Sequence, residues 1–300
     1  MRFVVAAALL AGCQEYDLLE QPEGEVYVQV DDDAKADVLF VVDDSASMAE
    51  EQQRLASNFA AFVDAVQGTE ADWHLGVVTT DLAQAGWLRG GVIDPETADL
   101  DAVAAAALVV GTTGDRVEQG FSAAELALDG RNAGFLRPDA RLNVVFFSDE
   151  DDQSASTVDG FLAALADRAG DEGAAVHGVV GDLPDGCASG TSAAAAGGRY
   201  LAAIEQTSGW RESICADDYV ELLTRVGFEA AGLQDTFPLA RVPKTDTLSV
   251  RVDDVVIPER EVDGWTYEPG DNVVVFHGRA IPRAGMTIGF DYVPLLGVEN

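Results

Sequence analysis

The stretch ADVLFVVDDSASMAEEQQRLASNF, residues 36–59, joins an apolar run to a polar turn and then to a polar-apolar mixed segment. Its first seven residues are nearly all apolar, as in a strand that is buried on both faces of a sheet. From Met48 to Gln67 the apolar residues recur at helical spacing: Leu55, Phe59, Phe62, Val63 and Val66. Between strand and helix lies Asp43-Asp44-Ser45-Ala46-Ser47, which suits packing poorly and offers a carboxylate and two hydroxyls at alternate positions.

Strands and helices continue to alternate after this stretch. Buried strands are predicted over residues 73–81, 141–149 and 174–181, and helices from Arg116 and over 157–170, 199–209 and 217–230, with a long loop containing Gly90-Gly91 and Pro95 after the first of these strands. This order predicts an α/β domain over residues 36–235, a Rossmann-like doubly wound and mainly parallel sheet with helices on both faces.

The composition changes at Phe237-Pro238. From there the segments TLSVRV, VVIPER, GWTYE, NVVVFHG and MTIGFDYV are short, rich in β-branched and aromatic residues, and separated by Gly- and Pro-containing turns. A small antiparallel β-sandwich over residues 236–300 is the expected structure.

The first thirteen residues, MRFVVAAALLAGC, look like a bacterial signal peptide that ends in a lipobox at Leu10-Ala11-Gly12-Cys13. That likeness implies lipidation of Cys13, and Gln14 after it implies sorting to the outer membrane, with the chain exported and facing the periplasm or the cell surface. The alternative is an N-terminal strand or a misassigned start with an incidental cysteine. Residues 14–35 are expected to form a polar, acidic tether with one short alternating strand, GEVYVQV.

Two cysteines remain if Cys13 carries lipid. In an exported protein the even pair Cys187 and Cys215 most simply forms one disulfide. Two free thiols or a soft metal site are the alternatives, although no CxxC or neighbouring histidine favours a metal.

The formal net charge of -35 over 300 residues excludes whole classes of partner. Nucleic acid and anionic membrane surfaces would repel such a chain, so contact with a membrane is expected through the lipid anchor alone. Most of the carboxylates are expected to form a solvated surface.

The Asp-Ser-Ser turn is placed where ligands bind in α/β sheets, at the carboxyl end of the first core strand. Asp43, Ser45 and Ser47 supply one carboxylate and two neutral hydroxyls, oxygen ligands of the kind that Mg²⁺ takes. Capping of the following helix explains one of the serines but leaves Asp43 and the second hydroxyl unexplained. We therefore predict a divalent-metal site for Mg²⁺, or for Ca²⁺ or Mn²⁺.

A buried strand, the pattern D-x-S-x-S and a helix together resemble the von Willebrand factor A (vWA) domain with its metal ion-dependent adhesion site (MIDAS). The likeness covers about two-thirds of the chain, and Asp149 at the end of RLNVVFFSD matches the family's second aspartate. The family's loop ligand precedes a helix, so the resemblance implies either Thr113 or Asp115 in that position, with Asp115 favouring Ca²⁺. VLFVVDDSASM, GVVTTD and FFSDEDDQS also resemble bacterial lipid-anchored proteins of this fold with a β domain behind it.

The resemblance implies a non-catalytic lipoprotein of the cell envelope whose metal binds an acidic group of a protein partner. One alternative is a Mg²⁺-dependent phosphohydrolase with Asp43 as nucleophile. That class needs a second aspartate at the position of Ser45 and a nearby lysine, whereas the only lysines are Lys35 and Lys244. The other alternative is a structural envelope protein in which the metal stabilises the fold.

Overall fold

A computed structural model describes residues 23–29, 34–66, 71–84, 86–190 and 192–295. The strands are β1 (Glu23–Val28), β2 (Lys35–Val42), β3 (Asp72–Thr79), β4 (Arg141–Ser148), β5 (Ala174–Val180), β6 (Cys187–Ser189), β7 (Ser192–Ala194), β8 (Arg211–Ser213), β9 (Thr236–Pro238), β10 (Ser249–Val252), β11 (Val255–Ile257), β12 (Trp265–Glu268), β13 (Val273–Phe276) and β14 (Thr287–Tyr292). The α-helices are α1 (Ala49–Asn58), α2 (Ala60–Val66), α3 (Leu100–Leu108), α4 (Gly120–Ala127), α5 (Val158–Ala169), α6 (Gly198–Gln206) and α7 (Val220–Ala230).

The central element is a five-stranded parallel sheet in the order β3-β2-β4-β5-β8. The chain leaves β2 toward β3 on one side and later returns to place β4 on the other side. The boundary between β2 and β4 is therefore a topological switch point, where open α/β sheets bind their ligands. The register pairs Val42 with Phe147, so both strands end together.

Helices cover both faces of the sheet, as the alternation of elements predicts. In β2 the side chains of Val38, Phe40 and Val42 belong to one apolar cluster and those of Leu39 and Val41 to another. The first cluster packs against α1, α2, α3 and α7, and the second against α4, α5 and α6. Because both faces are buried, the β2 sequence is continuously apolar.

Three elements differ from the expectation. The predicted helix 48–67 begins with a 3₁₀ turn at Ala46–Met48 and is interrupted at Phe59 between α1 and α2. Helix α3 is an alanine-rich segment inside the region expected to be a loop, and alanine is the strongest helix former. Helix α4 begins at Gly120, four residues after the expected start at Arg116.

The late start of α4 has a physical reason in a distant loop. The backbone N–H groups of Phe121 and Ser122 donate to Asp152 Oδ1 and Ser154 Oγ, each at 3.0 Å. These acceptors satisfy amides that have no partner inside the helix. Thr157 caps α5 by accepting from the N–H of Gly160, as its sequence position predicts.

The C-terminal part contains two antiparallel sheets, β1-β14-β10-β11 and β12-β13-β9. Strand β1 lies within the segment 14–35, where we expect a tether; its alternating pattern does form a strand, but that strand belongs to the C-terminal sheet. Its Tyr27 packs edge-on against Phe237 and Phe290 and donates to the carbonyl of Pro238 at 2.6 Å. The apolar interior of this part is continuous with one face of the parallel sheet.

Cys187 and Cys215 form a disulfide, which confirms the predicted pairing. The bridge joins the β6–β7 hairpin to the segment that follows β8. Cys13 and the rest of residues 1–22 lie outside the described residues. In the described ranges, no helix combines the length and apolar character needed to cross a bilayer.

Candidate metal centre

The ends of β2 and β4 bring Asp43 and Asp149 to one edge of the sheet. Each aspartate follows directly on its strand, and the Asp43 N–H donates to the carbonyl of Phe147 at 2.9 Å. Adjacent parallel strands of matching length expose their carboxyl ends together, so the sequence positions of these two aspartates predict their proximity.

Asp43 is completely buried and fixed through both carboxylate oxygens. Oδ1 accepts from the Ser45 N–H at 2.7 Å, and Oδ2 accepts from the Ser148 hydroxyl at 2.6 Å. The Ser148 hydroxyl in turn accepts from the Glu150 N–H at 3.1 Å. Each carboxylate oxygen keeps a second lone pair for a further donor, such as a metal-bound water.

The two serine hydroxyls lie side by side, because the Ser45 and Ser47 Oγ atoms are 3.1 Å apart. Ser47 is exposed and Ser45 is half-buried. Neither side chain caps the 3₁₀ turn or α1 by a hydrogen bond. Helix capping therefore does not account for these serines, and their hydroxyls remain free to act as ligands.

The loop before α4 is held against the site at two points. Gln52 donates to the carbonyls of Asp43 and Gly111, both at 2.8 Å, and accepts from the Gly111 N–H. The Gly114 N–H donates to the Asp44 carbonyl at 2.9 Å, and a Cβ on Gly114 would lie 2.1 Å from Asp44 Oδ1. Any larger residue at position 114 would have to displace the Asp44 side chain.

The two loop candidates from the sequence, Thr113 and Asp115, flank Gly114. Both side chains are exposed. The Asp115 carboxylate accepts from the Arg116 N–H at 2.6 Å, and within the described ranges no hydrogen bond joins it to Asp43 or Asp149. The choice between Thr113 and Asp115 stays a prediction.

Sequence reasoning missed Glu118, which is 1% exposed and belongs to the same cluster of charges. The Thr80 hydroxyl, at the end of β3, donates a short hydrogen bond to Glu118 Oε2. The helix expected from Arg116 would have placed Glu118 in its first turn. Because α4 begins at Gly120, Glu118 instead lies in the segment that enters the helix.

Burial and the charges of neighbouring carboxylates raise the pKa values of three acidic side chains in this cluster. Burial raises the pKa of Asp149 to about 6, the Ser47 hydroxyl partly offsets this rise, and the charges of Asp43 and Glu150 add to it. Burial, with the charges of Asp81 and Asp43, raises the pKa of Asp44 to about 6. The pKa of Glu118 rises to about 8 through burial and the charge of Asp43, against the hydrogen bond from Thr80.

Three buried carboxylate oxygens at this edge have no hydrogen-bond partner in the described structure: Asp44 Oδ1, Asp149 Oδ1 and Glu118 Oε1. Buried polar atoms normally find a partner, and an unpaired buried charge is costly. In the same part of the chain, no Lys, Arg or His forms an ion pair with these residues. A bound cation would supply the missing counter-charge.

The donor set fits a hard, oxygen-liganded cation. Within the described residues, no three His, Cys, Asp or Glu side chains converge closely enough to enclose a metal by themselves. A cation here would depend on the hydroxyls of Ser45 and Ser47 and on retained waters as much as on carboxylates. Mg²⁺ characteristically binds through few protein oxygens and several waters.

A surface groove opens beside these groups. Its lining includes Ser47, Asp149, Glu150 and Gln153, together with Ala193 and Ala195 of the β6–β7 hairpin and its end. The Ala195 N–H donates to the Asp149 carbonyl at 2.8 Å, which fixes the end of the β6–β7 hairpin next to the site. The disulfide at Cys187 anchors the start of the same hairpin.

Asp43 is poorly arranged as a nucleophile. A nucleophilic carboxylate must reach its substrate, whereas this one is fully buried with both oxygens engaged. The ammonium group of Lys35 pairs with Asp139 at the opposite, amino-terminal end of β2.

No family model matches the sequence, and no curated protein matches it either. Among solved structures, the pilus adhesin SpaC from Lactobacillus rhamnosus GG is similar over 88% of this chain and 40% of its own, with 13% identity and a TM-score of 0.44. Proximal thread matrix protein 1 from the mussel byssus is similar over 72% of this chain and 52% of its own, with 14% identity and a TM-score of 0.42.

A von Willebrand factor type A structure from Catenulispora acidiphila is similar over 92% of this chain and 66% of its own, with 12% identity and a TM-score of 0.39. This chain thus spans about half the length of the first two proteins. All three TM-scores are too low to establish a shared fold.

Proposed function

We propose that this chain is a non-catalytic, divalent-metal-dependent protein-binding module of the vWA type, carried by an exported lipoprotein. The observation that carries the proposal is the unpartnered, buried Oδ1 of Asp149 beside the paired hydroxyls of Ser45 and Ser47. Mg²⁺ is the first candidate, with Ca²⁺ or Mn²⁺ as the alternatives.

Each residue has a distinct part in the proposed site. Ser45 and Ser47 present hydroxyl oxygens to the cation, and Asp149 presents the free carboxylate oxygen. Asp43, which is buried, contributes its charge and accepts hydrogen bonds from metal-bound water. Together these groups form the MIDAS of the proposed module.

The partner in this proposal is a protein that offers an acidic group to an open coordination position. Ser47 is exposed next to the groove, so a side chain entering there would meet the metal directly. Asp149 is the one direct carboxylate ligand in this proposal and the serine hydroxyls are neutral, so a divalent cation keeps part of its positive charge for a further carboxylate. Lipidation of Cys13 would hold the module at the outer membrane, facing the periplasm or the cell surface.

Paramagnetic relaxation tests this function with a short peptide in place of the natural partner. With protein in excess over Mn²⁺, we expect the side-chain protons of a glutamate-containing peptide to relax faster, and those of its glutamine counterpart to stay unchanged. The effect should disappear in the Asp43→Ala, Ser45→Ala double variant. Equal relaxation of both peptides, or relaxation that persists in the variant, would refute the acidic-partner mechanism.

A further inference from the structure

We propose that Glu118, in place of Thr113 and Asp115, is the loop residue of the metal centre and that its Oε1 accepts a hydrogen bond from a water molecule bound to the cation. The inference rests on the metal site proposed above and adds a residue that the D-x-S-x-S pattern does not contain.

The Glu118 side chain is buried with one oxygen unpaired. It is 1% exposed, and its Oε1 has no hydrogen-bond partner in the described structure. Most buried polar atoms have a partner, so this oxygen is a candidate acceptor for a donor bound at the site. The charges that act on it most strongly are those of Asp43, Asp44 and Glu150, so it shares the environment of the proposed ligands.

Hydrogen bonds hold Glu118 in place from several directions. The Thr80 hydroxyl donates to Oε2, the Gln153 N–H donates to the Glu118 carbonyl at 2.7 Å, and the Gln119 N–H donates to the Thr80 carbonyl at 3.3 Å. Thr80 itself donates its N–H to the Val42 carbonyl at the end of β2. These hydrogen bonds connect Glu118 to the ends of β2 and β3, and they fix one carboxylate oxygen while leaving the other free.

Contact between Glu118 and the cation is water-mediated in this proposal. No three acidic side chains of the described structure converge on one point, so Glu118 is not placed as a direct ligand beside Asp149. A water bound to the cation bridges the remaining distance and satisfies Oε1 at the same time. Groups that orient metal-bound ligands in this way commonly contribute 10–100-fold, as an order of magnitude, to metal affinity.

Calorimetric titration of Mn²⁺ into the full chain tests the role of Glu118 with four single variants. Glu118→Gln keeps the shape and removes the charge. Glu118→Asp keeps the charge and withdraws the carboxylate by about 1.5 Å, the length of one carbon–carbon bond. Asp115→Asn and Thr113→Val alter the exposed loop positions, and circular dichroism confirms that each variant is folded.

We expect both Glu118 variants to bind Mn²⁺ about 10–100-fold more weakly with the stoichiometry unchanged. The two loop variants should stay within about twofold of the wild type, as for surface changes. Water-proton relaxation should also change in Glu118→Asp, because a metal-bound water loses its acceptor.

Two results would overturn the inference while leaving the metal site intact. The first is wild-type Mn²⁺ affinity in Glu118→Asp, which would show that Glu118 acts only as a distant charge. The second is a loss of Mn²⁺ affinity that is confined to Asp115→Asn or Thr113→Val. In both cases the Asp43→Ala, Ser45→Ala variant still abolishes binding. If the wild type binds no Mn²⁺, the proposed function fails first and this inference fails with it.

Discussion

Replacing Asp149 by asparagine should stabilise the metal-free protein near neutral pH. The carboxylate is 6% exposed, and burial raises its pKa from the usual 3.8 to about 6. The folded chain therefore holds the proton more tightly than the unfolded chain does. The stabilisation that the folded state gains from the protonated Asp149 is complete below about pH 4 and is lost as the pH rises through about 6.

The size of the effect follows from the difference between the two pKa values. It corresponds to about 3 kcal/mol of stability lost by about pH 7.5, as an order of magnitude. Asparagine carries no charge and avoids this loss, but its amide N–H groups need partners at a site that offers mainly oxygens. We therefore expect a net gain of about 1–2 kcal/mol in the free energy of unfolding.

Chemical denaturation in chelator measures this gain at about pH 7.5 and again at about pH 4.5, where the wild-type carboxylate is largely protonated and the difference should shrink. Asp115→Asn, an exposed carboxylate on the neighbouring loop, is the matched control and should change stability by less than about 0.5 kcal/mol. With saturating Mg²⁺ the order should reverse, because only the wild type gains from the ion. A variant that is less stable than wild type in chelator at about pH 7.5, or equally stabilised at both pH values, would refute the reasoning.

Three further predictions concern Glu118, the disulfide and a buried ion pair. In chelator the melting temperature should fall as the pH rises from about 5 through about 8, because the raised Glu118 pKa of about 8 means that the folded state binds the proton more tightly than the unfolded state does. Calorimetric scans should show this fall, and added Mg²⁺ should flatten it. A melting temperature that rises over this pH range would contradict the prediction. The Cys187→Ser, Cys215→Ser variant should lose about 3–4 kcal/mol of unfolding free energy in urea titrations, because the bridge spans a sequence separation of 28; an unchanged midpoint would contradict this. Arg137→Met should cost about 3 kcal/mol, because it removes the guanidinium that pairs with the buried Asp37 carboxylate and leaves only the backbone N–H of residue 137 and His74 near that charge. Mn²⁺ affinity should stay unchanged. A variant as stable as the wild type, or one with altered affinity, would contradict this structural role of Arg137.

The ends of the core strands could be predicted from the sequence because their pattern is local. A near-continuous apolar run followed by an aspartate defines β2 and β4 whatever the rest of the fold. Parallel pairing then places Asp43 and Asp149 at one edge. The serine turn follows directly in the chain, so the same reasoning gives its position.

Glu118 could not be predicted because its position depends on contacts that are distant in sequence. The segment from Arg116 has a helical composition, and the acceptors that receive the first amides of α4, Asp152 and Ser154, lie about 30 residues further along the chain. Strand β1 pairs with β14, more than 250 residues away. The alternating pattern of β1 predicts a strand but does not identify that neighbour. In the sequence Glu118 lies between two other acidic residues, Asp115 and Glu125, and its spacing does not distinguish it from them.

The most direct test of the metal centre is calorimetric titration of Mg²⁺, Mn²⁺ and Ca²⁺ into the purified chain, alongside the Asp43→Ala, Ser45→Ala double variant. The account predicts saturable binding of one ion per chain for at least one of these cations, and its disappearance in the variant. No binding of any of the three, or binding that survives in the variant, would contradict the claim that this edge of the sheet holds a metal.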